Sequence, residues 1–63
     1  MTVKEALQQN KICHTHKEVK FLVDMGRIYV NNRQIKSFKR VVHKGDTITR
    51  KDLMGNILAT ISV

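Results

Sequence analysis

Cys13, His14 and His16 stand within four residues of one another. These are the residue types that hold zinc or arm a thiol for nucleophilic attack. Zinc takes about four ligands in a tetrahedron, and the chain adds only a distant His43, with no second cysteine. A Cys–His nucleophile needs a third group to orient the base and donors for an oxyanion. No such set is evident. Neither catalysis nor a metal or other cofactor is expected, and no small-molecule substrate.

The remaining chemistry is cationic. Twelve Lys and Arg against five Asp and Glu give a formal net charge of +7 in 63 residues. That balance favours polyanions, nucleic acid first and an anionic membrane surface second. A membrane-surface protein would want a long amphipathic helix with aromatic anchors, or a lipidation signal. The chain shows neither, and Phe21-Leu22-Val23 is as long as its apolar runs get, far short of a bilayer span. The opening MTVKEALQQN has no signal-peptide core. A lone cysteine rules out an internal disulfide framework, and a reducing, cytoplasmic setting is expected. A chain this short buries only about 60% of the surface its unfolded form exposes. One domain spanning residues 1–63 is expected, with little room for a rigid catalytic cleft.

The elements that must carry these cations follow from spacing. Val3, Ala6 and Leu7 form an i, i+3, i+4 stripe that predicts a first helix from Thr2 to about Gln9. Thr2 and Glu5 have capping-box spacing, repeated by Thr15 and Glu18. The second helix is predicted over Thr15 to Met25. Val19, Leu22, Val23, Phe21 and Met25 fall on one broad apolar arc, with His16, Lys17, Lys20 and Asp24 on the other side. Gly26 suits a left-handed C-terminal cap, and Ile12 and Cys13 in the connector are expected to tuck inward. Beyond it the pattern is β. Ile28 and Val30 alternate with Tyr29, Asn31-Asn32 is a turn signal, and Arg33 to Lys36 is the returning strand. Turns follow at Lys44-Gly45-Asp46 and Asp52 to Asn56, and the tail places Ile57, Ala59, Ile61 and Val63 on one face. The order α-α-β-β-β-β predicts an α+β fold, two short helices packed on a small, mostly antiparallel sheet.

Three blocks in this order resemble the alpha-L RNA-binding motif, the S-four-type domain first named from a small-subunit ribosomal protein. They are Thr15-His16-Lys17-Glu18-Val19, then Gly26-Arg27-Ile28-Tyr29-Val30-Asn31-Asn32, then Val42-His43-Lys44-Gly45-Asp46-Thr47-Ile48. The resemblance covers about Val3 to Ile48. Thr15-His16 stands where that family has a serine–arginine pair, so a titratable group replaces a fixed charge. Thr2 stands where the family's first helix opens on arginine, and Asn32 replaces a glycine. Cys13 falls at a small, buried family position, which implies a structural thiol.

The resemblance implies an RNA surface on the second helix and the turn after the following strand: Thr15, His16, Lys17, Lys20, Arg27, Asn31, Asn32 and Arg33. Elementary chemistry agrees. A helix N-terminus offers free N–H groups to phosphate, lysines three apart share a face, and arginine forks onto phosphate oxygens. Lys36, Lys39 and Arg40 form a second basic patch, whose plainer reading is an exposed loop anchored by Phe38. A plainer reading of Lys17 and Lys20 is a solvated face with Lys20 paired to Asp24. Tyr29 could stack on a base but is read as covering the sheet, and Gly45-Asp46 as a turn. The expected function is non-catalytic binding of ribosomal or transfer RNA, with the ribosome as a possible setting. The alternative is a protein-interaction module that docks its basic face on an acidic partner.

Overall fold

The computed structural model describes Met1–Val63. Helix α1 spans Val3–Gln9 and α2 spans His16–Asp24; strands follow as β1 Ile28–Val30, β2 Arg33–Gln34, β3 Thr47–Lys51 and β4 Ile57–Ser62. The four strands form one sheet in the order β2-β1-β3-β4, and every pairing is antiparallel. The α+β arrangement read from the sequence is the one observed.

Local signals explain most boundaries. Thr2 and Glu5 form a complete capping box at α1, the threonine oxygen accepting from Glu5 N–H and the glutamate from Thr2 N–H. The α2 cap is one-sided: Thr15 Oγ1 accepts from Glu18 N–H at 3.2 Å, with no return bond from the Glu18 carboxylate. Gly26 ends α2 at φ +71°. A side chain there would be strained by that angle and would also collide with the Gln34 amide. Asn31 and Asn32 both take positive φ, 50° and 67°, and make the two-residue hairpin turn between Val30 and its partner Arg33.

The helices cover one face of the sheet, and thirteen buried apolar residues form a single cluster between the layers. Val3, Ala6 and Leu7 enter from α1, Val19, Leu22 and Val23 from α2, and Cys13 from the connector, with Ile12 packed at its edge. Ile28, Val30, Ile48 and Ile61 meet them from the sheet.

Three expectations need correction. Phe21 is 60% exposed and Met25 51%. At about 100° per residue Phe21 stands roughly 200° around the helix from buried Val19, so the apolar arc is wider than a small sheet can cover. Ile57 is also exposed. A register shift at Arg50/Lys51 pairs Ala59 with Arg50 but Ile57 with Lys51, and a one-residue slip moves a side chain to the other face. The returning strand stops at Gln34 rather than Lys36. Ile35 turns into the core, and the chain leaves the sheet to reach α1, where Val3 N–H donates to Arg40 O and Lys4 N–H to Phe38 O.

Candidate nucleic-acid interface

That excursion from the sheet shapes the basic surface. Val23 to Gly26, at the end of α2, line one depression with Gln34, Ile35 and Lys36. At the other end of the helix, His16 lines a second depression with Phe38 and Lys39. The segment from Gln34 to Lys39 therefore runs alongside α2, opposite in direction. His16 and Phe38 lock the two together, their rings edge-to-face with centroids 4.8 Å apart. His16, Lys20 and Asp24 are four residues apart, so they share the helix flank that faces this segment. Lys20, Lys36 and Lys39, from two basic patches read separately in the sequence, thus border one strip, with Lys17 and Arg40 flanking it. All five of these side chains are exposed.

The turn lies at the other end of β1 from Gly26 and joins the strip through Arg33 to Lys36. Arg33 pairs with Val30, which places it on the helix side of the sheet. Asn32 is exposed at the tip. Arg27 is half-buried at the start of β1, its carbonyl accepting from Lys51 N–H at 2.9 Å. Arg27 and Asn31 therefore flank a three-residue strand at opposite ends, about 13 Å apart.

Thr15 and Asn31 have their side chains committed to the fold. Thr15 caps α2. Asn31 Nδ2 donates to Asp46 Oδ1 and its Oδ1 accepts from Thr47 N–H, both at 3.0 Å. These two residues position their neighbours; the exposed cations are what a ligand meets. The Asn31–Asp46 link was not readable from the sequence, because fifteen residues separate the pair and no local spacing signals it.

Three of the five acidic side chains are held within their own caps and turns, while Glu18 and Asp24 lie on α2 among its cations. Glu5, Asp46 and Asp52 turn back onto N–H groups of their own capping and turn motifs, Thr2 for Glu5, His43 for Asp46, Met54 and Asn56 for Asp52. Those donors hold all three carboxyls below the usual range, the backbone N–H being the main cause in each. None of the side-chain hydrogen bonds involves an ammonium or guanidinium group, so Lys20 is not bonded to Asp24.

The thiol and imidazoles form no reactive set. Cys13 is buried, and burial pushes its thiol pKa up, away from the thiolate that attack or metal binding requires. No three His, Cys, Asp or Glu residues gather as a metal site. Tyr29 lies under the Lys51 ammonium, 4.2 Å from its ring centroid, so its face is occupied from within. No helix is long and apolar enough to cross a membrane. No family model, curated protein or solved structure matches the chain.

Proposed function

We propose that this protein is a non-catalytic RNA-binding module that grips structured RNA, of the ribosomal or transfer class, along α2 and the segment beside it. One observation carries the reading. Lys20 on the helix and Lys36 and Lys39 on the segment beside it border a single strip, with exposed Lys17 one turn before Lys20 and exposed Arg40 just past the end of the segment. Exposed cations without hydrogen-bonded acidic partners suit a phosphate backbone, whose contacts supply most of non-specific affinity. Structured RNA is recognised largely through shape and backbone, which a rigid strip between a helix and a pinned loop can follow. The His16 and Lys17 N–H groups, ahead of the capped Glu18 N–H, have no partner within the helix and add donors at that end. The resemblance to the alpha-L motif points to the same helix.

Within this reading, His16, Lys17, Lys20, Arg33, Lys36, Lys39 and Arg40 contact RNA; Asn32 shapes the turn tip, and Thr15 and Asn31 hold the surface in place. The test is direct binding at matched salt to a structured RNA and to duplex DNA of equal length. Tighter binding to the RNA supports the proposal. Equal or weaker binding contradicts it. Retention of a protein partner after ribonuclease treatment, with no RNA affinity, would instead support docking of the basic face on an acidic protein.

A further inference from the structure

The groove where α1, the first turn of α2 and the Phe38 loop meet has a volume of about 520 Å³. Its walls differ from the rest of the basic strip. Phe38 supplies an aromatic wall, fixed beside α1 by the bond from Lys4 N–H to its carbonyl at 3.2 Å. His16 stands at 89° to that ring and closes the side toward α2. Lys39 lies at the loop edge and Lys4 on α1. Glu5 and Gln8, one helical turn apart, form the polar wall. Glu5 uses only Oε1 for its two bonds to Thr2, which leaves Oε2 free to accept. Gln8 offers both a donor and an acceptor.

An aromatic ring, a carboxylate acceptor with an amide next to it, and a cation, Lys39, at the opposite edge are the complements of one nucleotide. We infer that this groove takes a single unstacked nucleotide of the bound RNA, its base against Phe38 and His16, its phosphate at Lys39, and its base edge toward Glu5 and Gln8. The inference rests on the RNA-binding reading and adds a subsite to it. The Glu5 charge, partly offset by adjacent Lys4, turns phosphate away from α1 and so sets the nucleotide's direction. An acceptor at that wall suits a base that presents an exocyclic amine, such as adenine. Volumes of this order hold small ligands of nucleotide size, and bases splayed from loops and bulges are the usual targets of sequence-sensitive RNA readers.

Three RNA hairpins of one stem sequence test this: fully paired, with a single adenosine bulge, and with an abasic bulge at the same place. The abasic hairpin keeps the flexibility of the bulge and lacks the base. Binding of the adenosine hairpin about tenfold tighter than the abasic one is expected, since stacking of a base on an aromatic side chain has that magnitude. Phe38→Leu should remove most of that preference, and Gln8→Ala, which leaves the core untouched if Phe38→Leu fails to fold, should reduce it through the lost base-edge contact. Gln8→Ala, which touches neither the core nor the His16–Phe38 contact, should bind the paired hairpin as the parent does. Equal affinity for adenosine and abasic bulges, with the paired hairpin still bound, overturns the groove assignment alone. Failure to bind any hairpin overturns the RNA-binding reading with it.

Discussion

The side-chain amide of Asn31 donates to the carboxylate of Asp46 across 3.0 Å, joining the β1–β2 turn to the turn before β3. The same amide accepts from Thr47 N–H, and the second Asp46 oxygen accepts from His43 N–H at 2.9 Å. These side-chain bonds add to the backbone bond from Asn31 N–H to Thr47 O at 2.8 Å and fix the two turns more firmly to each other. Asn31 does this from a left-handed backbone position, φ 50°, which asparagine tolerates better than most residues.

Replacing Asn31 separates its two roles. Asn31→Ala loses both side-chain bonds and the tolerance of positive φ, and should destabilise the fold by about 1–3 kcal/mol. Asn31→Gly keeps the backbone freedom and loses only the bonds, so it should be the milder change. Urea denaturation of the two variants checks this; equal midpoints for both and the parent would show that the clasp contributes nothing.

Acid should weaken the fold through the same turn. Asp46, Asp52 and Glu5 are held below the ordinary carboxyl range, chiefly by the N–H groups of His43, Asn56 and Thr2 respectively. A carboxyl whose folded value is depressed binds fewer protons folded than unfolded. Its contribution is complete above the unfolded value, about 4, and is lost as pH falls through the folded value. The melting temperature should therefore hold steady above about pH 5 and fall below about pH 4. Asp46→Asn should lower it at neutral pH and soften the acid fall. A melting temperature that rises on acidification would contradict the assignment.

The helix caps should respond unequally. Thr2→Ala and Thr15→Ala each remove a cap worth about 1 kcal/mol. Glu5→Ala should also lower the melting temperature, because Glu5 completes the box at α1, while Glu18→Ala should leave it nearly unchanged, because no such bond exists at α2. Thermal melts of the four single variants decide this; similar losses for Glu5→Ala and Glu18→Ala would go against it.

Features governed by neighbouring residues were legible in the sequence. The threonine caps, the Gly26 stop, the Asn31-Asn32 turn and the Gly45 and Gly55 turns depend on spacing of a few residues and stand where spacing put them. The order of elements followed from them. What escaped depends on the partner surface. Whether Phe21 and Met25 are buried is set by the width of the sheet beneath α2, and the Ile57 side by a register shift within the β3–β4 hairpin. The candidate site shows the same division. Its cations were visible as residues, but the strip between α2 and the Gln34–Lys39 segment, the His16–Phe38 contact and the Asn31–Asp46 clasp join positions distant in the chain.

The central claim is that the α2 strip holds phosphate. Its most direct measurement is the salt dependence of affinity for one structured RNA, for the parent and for Lys17→Ala with Lys20→Ala. Both lysines are exposed, so the double variant should fold, and its circular dichroism should match the parent. Each phosphate contact contributes about 0.7 to 0.9 to the log–log slope. The account predicts weaker binding and a slope shallower by roughly 1.5. A folded double variant with unchanged affinity and slope would contradict it.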